Sequence, residues 1–477
     1  MLWPRWIWLR ALGLIFLSAF YSLAFQITGL NGPRGILPAG EYLQAVHRAF
    51  PLWKALWYAP TLFWISASDG ALLAVTLLGA AASVLLALNV APRWSLALAG
   101  LCFLSFIGSA QDFASYQSDG MLLEATFASL FLAPRGLRPG LGAADPPARL
   151  AVFVLLWEWF RIYFESGVVK LLSGDPQWRS LTAMDHYYEN GPLPSFVGWY
   201  VQEWLPHAFH AFTAVLTFVF ELGVVWLAFL PRRFRIACFC VVSPFQAAII
   251  LTANYAFLNY IVLCLGVLLL DDRFLRLRVP QADWKQAGWP TRVALGTVLY
   301  ASLVVAPGIS RFLPRPLLWP AVALEPFRIA NRYGLFAVMT EQRYEIELQG
   351  SRDGKHWTAY PFRYKPQDPL RAPGIYAPYQ PRFEWNLWFA SLGDWRGYPW
   401  VVRTELRLLE GSPSVLRLFA RDPFSGTPPA FVRAVKWQYW FTSKEEKRST
   451  GAWWKREELG LYAPAVSMGP QGVEVVP

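Results

Sequence analysis

The chain has 477 residues, of which 55% are hydrophobic and only 16% are charged. This composition is too apolar for an ordinary soluble protein, and several apolar runs reach the roughly 20 residues needed to cross a bilayer. A multi-pass membrane protein is therefore expected. The formal charge of +11 fits basic cytoplasmic loops better than it fits nucleic-acid binding, which we do not expect.

Nine apolar segments are predicted to be membrane-spanning helices. They lie near residues 6–28, 69–91, 95–116, 120–134, 150–172, 208–230, 235–253, 255–270 and 292–309. The first is interpreted as a helix with a cytoplasmic start, anchored by Arg5 and Arg10, because no small-residue cleavage site follows it. Residues 50–66 are expected to form an interfacial or re-entrant helix.

The basic loops predict the orientation of these spans. With the N-terminus in the cytoplasm, four basic connections fall on the cytoplasmic side. They are residues 91–94, 134–149, 231–235 and 271–278. Nine spans then place the C-terminus on the opposite, extracytoplasmic face.

A change of character near residue 320 predicts a second domain. We expect a polytopic helical domain over 1–310 and a β-rich α+β extracytoplasmic domain over 320–477. The alternating runs at 343–351, 357–364 and 430–443 predict strands, and Ser351–Gly354 predicts a hairpin-like turn. Helices are predicted in "FEWNLWFASL", through the stripe Trp385, Trp388, Phe389 and Leu392, and in "VVRTELRLLEG", ending at Gly411.

The cysteines carry no predicted chemistry. All four, which are Cys102, Cys238, Cys240 and Cys264, lie inside apolar runs. We therefore expect no disulfide framework and interpret them as inert buried cysteines.

Ionisable residues inside a bilayer are functional hypotheses by default. Glu158, Arg161 and Glu165 lie within roughly 60° of one helix face, so they are expected to form a Glu–Arg–Glu network. This network is either a structural salt-bridge stack or the wall of a polar pocket. Lys170 lies about 140° from Glu165 on a straight helix. It either snorkels to the interface or is a desolvated, reactive amine.

Other polar groups also lie within or beside the spans. Gln246, Asn254 and Asn259 are assigned to the same intramembrane polar network, where such groups usually join helices by hydrogen bonds, although a polar cavity is the alternative. Gln111, Asp112, Asp119 and Glu124 form a similar group that we expect near the outer face.

The loop "SGDPQWRSLTAMDHYYENGPLP" follows Lys170 and predicts a turn and a short helix. We expect it to form a lid over the membrane domain or a docking surface. A metal site is not expected, since Asp185, His186 and Glu189 resemble one only weakly. The candidate residues of this loop are Gly174, Asp175, Trp178, Arg179, Asp185, His186, Tyr187 and Glu189.

Several of these stretches resemble the lipase maturation factor family. The resemblance runs from about residue 11 to 465 and includes "RIYFESGVVKLLSGDPQWRSLTAMDHYYENGPLPS", "YQSDGMLLEATFASLFLAP", "NRYGLFAVMTEQRYEIELQGSRDGKHW" and "DPFSGTPPAFVRA". It implies a polytopic membrane protein with a lumenal β-rich domain, of a family whose animal members help dimeric lipases to fold and assemble in the endoplasmic reticulum. The family is not an established enzyme class, and this chain lacks lumenal cysteines.

A second, more distant similarity concerns Lys170. The stretch "YFESGVVKL" is similar to one in the vitamin K-dependent carboxylase family, where a Gly-Val-Lys-Lys-Leu run supplies the presumed catalytic base. Lys170 matches the second lysine of that run, whereas Val169 replaces the first.

Two functions follow as hypotheses. The first is a membrane-anchored maturation factor that binds a secreted, lipase-like client through exposed aromatic surface, with membrane lipids around it and no cofactor. The alternative is a membrane enzyme that acts on a lipid-soluble cofactor or substrate, with Lys170 as its base. The resemblance implies the inner membrane with a periplasmic domain if the source is bacterial, and the endoplasmic reticulum if it is eukaryotic.

Overall fold

The computed structural model describes residues 1–277, 280, 283–469 and 472–476. Arg278, which ends the fourth basic connection, lies outside the described residues, as do residues 470, 471 and 477 of the predicted second domain.

The first part of the chain is helical. Its helices up to the loop after Lys170 are α1 (Leu2–Asn31), α2 (Ala39–Ala49), α3 (Leu52–Tyr58), α4 (Asp69–Ala87), α5 (Pro92–Ile107), α6 (Gln117–Leu132) and α7 (Arg149–Ser173). Those that follow are α8 (Pro176–Arg179), α9 (Tyr187–Asn190), α10 (Phe196–Trp204), α11 (His207–Phe218), α12 (Arg232–Thr252), α13 (Leu258–Gly266), α14 (Trp289–Val305) and α15 (Arg315–Leu324). Each of the nine predicted spans coincides with one of these helices or with a helix and its extension.

Within the described residues, four helical segments are long and apolar enough to cross a bilayer. They are Leu2–Asn31, Asp69–Ala87, His207–Phe229 and Arg232–Thr252. The third of these consists of α11, a π-helical turn (Val219–Gly223) and a 3₁₀ helix (Val224–Phe229). Shorter apolar helices occur at Pro92–Ile107, Leu258–Leu269 and Trp289–Val305. The predicted helix at 50–66 is α3 followed by a short 3₁₀ turn (Leu62–Trp64).

The basic connections meet at one end of the helical bundle, together with the N-terminus. Arg5 donates to the carbonyls of Leu141 and Asp145, at 2.7 Å each. The Asp145 carboxylate in turn pairs with Lys285 at 2.6 Å, and the N-terminal amine pairs with Asp272. Charged and polar groups from distant parts of the sequence therefore share this end.

A five-stranded antiparallel sheet forms the C-terminal part, in the order β2-β1-β3-β4-β5. Its strands are β1 (Arg343–Ser351), β2 (Trp357–Ala359), β3 (Phe431–Phe441), β4 (Trp454–Gly469) and β5 (Gly472–Val475). Four helices accompany it: α16 (Arg382–Ser391), α17 (Trp400–Leu409), α18 (Pro413–Leu416) and α19 (Lys444–Thr450). Side chains of β1, β3, α16 and α17 form its core, which also includes Leu30 and Ile36 from the bundle.

Most elements predicted in this part are confirmed. The strands at 343–351 and 431–441, the turn after Ser351, and both helices are present, and Gly411 adopts a left-handed φ of 62° after α17. The strand predicted over 357–364 ends at Ala359. Pro361 lies inside its remainder and has no N–H to donate to a ladder. Strand β4 was not predicted at all.

The expectation of buried cysteines is wrong for Cys240, which is exposed, and Cys264 is half-buried. All four are free thiols, and Cys102 and Cys238 are buried. Across the described part of the chain they form no disulfide, and they lie outside the site described next.

Candidate functional site

Residues 331–340, "NRYGLFAVMT", link the helical part to β1 without forming a helix or a strand. This segment, called the strap below, runs across α6, α7 and the loop that follows α7. The backbone of five of its ten residues is hydrogen-bonded to side chains that the sequence marked as candidates: Asn331, Tyr333, Leu335, Phe336 and Met339. The strap therefore shows what many of those polar groups do.

The first group of charges is centred on Arg161 in α7. Its Nη1 lies 2.7 Å from Glu124 Oε1, and its Nε lies 2.8 Å from Glu165 Oε1. The guanidinium also donates to the Asn331 carbonyl of the strap. All three charged side chains are buried, so each charge has the close partners that a low-dielectric interior demands.

The remaining carboxylate oxygens of this group bind the strap. Glu124 Oε2 accepts from the Asn331 N–H and from the Tyr333 hydroxyl, at 2.8 Å each. Glu165 Oε2 accepts from the Tyr333 N–H at 2.9 Å. The network therefore joins the predicted Arg161–Glu165 pair of α7 to α6 and to the strap.

The direct partners of Arg161 differ from the predicted set: Glu158 forms no hydrogen bond with it, and Glu124, which was predicted in another group, does. Glu158 is buried, but neither of its carboxylate oxygens has a hydrogen-bond partner among the described residues. The reason is that the donors of Arg161 are already directed to Glu124, Glu165 and Asn331. Glu124, predicted near the outer face with Asp119, takes the place of Glu158, whereas Asp119 pairs with Arg382 at 2.7 Å.

The second group of charges is Lys170 and Glu221. The Lys170 amine lies 2.9 and 2.8 Å from the two oxygens of Glu221, and it donates to the strap carbonyl of Leu335 at 3.1 Å. The snorkelling prediction was wrong, since Lys170 is 3% exposed. A counter-charge on the π-helical turn after α11 removes the need for the amine to reach water.

The helix α7 continues unbroken through Gly167, which keeps Lys170 off the Arg161 side. The amine also lies 5.3 Å from the centre of the Trp178 ring. The predicted separation of Lys170 from the Arg161 network is thus confirmed, while its partner, Glu221, was not foreseen.

A cavity of about 260 Å³ lies beside this ion pair. Most of its wall is aliphatic or aromatic, with Lys170, Glu221, Gln246 and Asn259 among the polar side chains. The Tyr163 hydroxyl donates to Gln246 Oε1 at 3.1 Å. Asn254 lies elsewhere: it donates to the Gly374 carbonyl and accepts from the Tyr376 N–H, so it connects the bundle to the C-terminal part.

The loop after α7 binds the far half of the strap. Gly174 ends α7 with a left-handed φ of 74°. Asp175 caps α8 and accepts from the Met339 N–H at 2.6 Å, and the Trp178 indole donates to the Phe336 carbonyl at 2.9 Å. Arg179 is exposed.

The second half of the loop reaches the sheet. Glu189 Oε2 accepts from the Phe441 N–H of β3 at 2.8 Å, and Glu189 Oε1 lies 2.9 Å from His186. This hydrogen bond raises the pKa of His186. Asp185 lies 3.0 Å from His207, and Tyr187 is buried.

No group of three metal-binding side chains occurs in the described residues. The candidate residues of the loop have other contacts. Asp175 and Trp178 bind the strap, and Glu189 binds the sheet. Asp185 and His186 form pairs with His207 and Glu189.

Three buried charged residues of this site were missed. Glu221 lies in an apolar run, so the rule that ionisable groups within spans are functional candidates would have found it. Arg343 donates to the carbonyls of Glu189 and Gly191, and Arg382 pairs with Asp119. Neither arginine lies in a span, and no local pattern marked it.

Comparison with known proteins identifies the family. The family profile described as "Lipase maturation factor transmembrane domain" matches residues 3–277, and "Lipase maturation factor C-terminal domain" matches residues 329–464. This chain belongs to the lipase maturation factor family. Human lipase maturation factor 2 is 32% identical to it, in an alignment that covers 99% of this chain and 84% of the human protein.

Lipase maturation factor 1 is similar to the same extent. The bovine protein is 32% identical, over 97% of this chain and 89% of its own length. No solved structure matches the chain. The family and the long apolar helices identify an integral membrane protein. The carboxylase-like alternative gains no support from these matches, and Lys170 is engaged by Glu221 and the strap.

Proposed function

We propose that this protein is a membrane-anchored maturation factor for secreted proteins, with lipases as its clients. The observation that carries the proposal is the similarity to lipase maturation factors 1 and 2 over nearly the whole chain. The match spans the bundle, the strap and the sheet, so the parts that hold the sheet on the bundle belong to the shared architecture.

The proposed topology has nine spans, with a cytoplasmic N-terminus and an extracytoplasmic C-terminal domain beginning near residue 320. Support comes from the contacts at the two ends of the bundle. The N-terminus and the basic connections share one end. The C-terminal part contacts the loops at the other end, with Glu189 bound to the sheet and Asn254 to the Gly374 carbonyl. The positive-inside rule assigns the basic end to the cytoplasm.

The client-binding surface that we propose is the free edge of the sheet. Exposed aromatic surface was expected, but among the described residues after 320 only Phe389 is an exposed aromatic side chain, and the others are buried or half-buried. The exposed apolar side chains along β4 and β5 are aliphatic or Met: Leu459, Leu461, Met468, Val473 and Val475. Strand β5 lies at the sheet edge, where an extended segment of an unfolded client would pair by backbone hydrogen bonds.

The test is secreted lipase activity in a strain or cell line that lacks this protein. Wild-type protein is expected to restore the activity, and a Leu461→Asp, Val473→Asp variant is expected to restore several-fold less, because charges on the edge oppose pairing with an apolar strand. Leu137→Asp is the matched control, since Leu137 is 69% exposed in a connection at the basic end of the bundle.

Protein abundance in the membrane is measured for each variant, so that loss of folding is separated from loss of client binding. Full secreted lipase activity in the absence of the protein would contradict the proposed function. Full restoration by the double variant would contradict the proposed surface alone.

A further inference from the structure

The cavity beside Lys170 and Glu221 reaches the outer surface of the bundle between two helices of membrane-spanning length. From α11 it is lined by Thr213, Leu216 and Thr217, and from α12 by Phe245, Ala248 and Ile249. Ala248 is exposed, so the mouth lies between α11 and α12. Both helices belong to segments that are long and apolar enough to cross a bilayer, and this mouth therefore faces lipid.

The interior combines an apolar wall with a few hydrogen-bonding groups. Phe245, Leu258, Val262, Phe336 and Met339 are among its apolar side chains. The hydroxyls of Thr213 and Thr217 donate to carbonyls of their own helix, at 2.8 and 2.9 Å. The threonines therefore contribute little hydrogen-bonding capacity to a ligand.

Two buried amides on the wall keep free donors. Gln246 uses its Oε1 to accept from Tyr163, and across the residues that the structure describes its Nε2 donates to no protein group. The side-chain amide of Asn259 likewise forms no hydrogen bond with any described protein group. Both residues are less than 5% exposed and line the cavity, so their free amide groups open into it and a ligand there can bind them. A ligand with a carbonyl, ester or hydroxyl oxygen would satisfy them.

The charges on the wall exclude a strongly charged ligand. Lys170 and Glu221 neutralise each other, and Lys170 binds both oxygens of the Glu221 carboxylate. No unpaired charged side chain of the described chain lines this cavity. A charged headgroup would therefore lose its hydration without gaining a counter-ion.

We propose that this cavity binds one hydrocarbon chain of an uncharged lipid that enters from the bilayer between α11 and α12. The carbonyl or ester oxygen of the lipid accepts hydrogen bonds from Gln246 and Asn259. The volume of about 260 Å³ is just below the roughly 300–1,000 Å³ of small-molecule sites. The cavity therefore holds one chain, and the rest of the lipid occupies the mouth.

The experiment uses the full-length protein in phosphatidylcholine nanodiscs and a monoacylglycerol with a diazirine in its chain. After illumination, labelled peptides are mapped by mass spectrometry. We expect labelling of α7 and of the inner faces of α11 and α12. Ala248→Trp fills the mouth and is expected to reduce this labelling at least tenfold. Ala237→Trp is the matched control, because Ala237 is an exposed alanine of the same helix outside the cavity.

The polar contacts are tested separately by Gln246→Leu and Asn259→Leu. Loss of one net hydrogen bond predicts roughly fivefold weaker binding of the monoacylglycerol. Binding of a diazirine-bearing alkane of the same length is expected to stay unchanged. These variants keep the apolar volume, so they also test the proposal if Ala248→Trp does not fold.

Two results would overturn the proposal. In the first, Ala248→Trp leaves the labelling of the cavity peptides unchanged, and this labelling is no stronger than that on the outer face of α4. Such a result would indicate only annular lipid. The other is wild-type protein without labelled cavity peptides, which would indicate a mouth closed by protein. Equal labelling by the fatty-acid anion would contradict the preference for an uncharged lipid.

Discussion

The two buried ion groups of the bundle bind the same strap, but their surroundings differ. Around Arg161, both carboxylates and the guanidinium are packed against strap backbone. Around Lys170, one side of the ion pair faces the strap and another faces a cavity. The Arg161 group is therefore a closed structural connection, whereas the Lys170 group leaves room for a ligand. The charges alone do not distinguish these two roles; the space around them does.

The largest effect is expected from Arg161→Met. It leaves Glu124 and Glu165 buried without their cation, which costs about 3–5 kcal/mol. We expect a lowered midpoint of thermal unfolding, measured by tryptophan fluorescence in detergent, and faster proteolysis within the strap. Adding Glu124→Gln and Glu165→Gln is expected to recover part of the loss. An unchanged midpoint in the single variant would contradict the closed connection.

A smaller effect is expected from Lys170→Met. Glu221 loses its cation as well, but it borders a cavity and is less tightly enclosed than Glu124 and Glu165, so the expected cost is about 2–3 kcal/mol. The double variant Lys170→Met, Glu221→Gln is expected to unfold close to the wild-type midpoint, because no buried charge remains unpaired. A double variant as unstable as the single one would show that the strap contact to Leu335 matters more than the charge.

A buried carboxyl of the C-terminal part has no cationic partner among the described residues and extends the comparison. Glu405 in α17 is fully buried, and burial raises its pKa well above the ordinary 4.5. The folded state therefore holds a proton that the unfolded state releases. Between pH 4.5 and the raised pKa, the free energy of unfolding contributed by this group falls by about 1.4 kcal/mol per pH unit.

Glu405→Gln is expected to stabilise the protein at neutral pH and to remove this part of the pH dependence. Chemical unfolding of the full chain at a series of pH values measures both effects. A Gln variant with the same pH slope as the wild type would contradict the assignment to Glu405.

The smallest effect is expected from Glu158→Gln. Unlike Glu124 and Glu165, Glu158 has no hydrogen-bond partner in the described part of the protein. Its neutral analogue is therefore expected to change the stability by less than about 1 kcal/mol or to increase it. A loss as large as that of Arg161→Met would show that Glu158 belongs to the network after all.

Features that depend on residues adjacent in the sequence were predictable. Apolar runs located the helices, and alternation located β1 and β3. Partners that depend on tertiary contact were not predictable. Helical angles favoured Glu158 for Arg161, but the chosen partner, Glu124, lies 37 residues away on α6. Strand β4 was missed because its alternation is interrupted by register shifts opposite Val432, Ala434 and Lys436.

The strap also has a consequence for biosynthesis. A ribosome completes α6 and α7 more than 150 residues before it reaches Tyr333 and Leu335. Until then, Glu124, Glu165 and Lys170 lack the strap backbone groups with which they form hydrogen bonds in the finished protein. A nascent bundle that ends before residue 331 is therefore incomplete, however many of its helices have inserted. The membrane part reaches its final contacts only after the strap has been translated and has bound across α6 and α7.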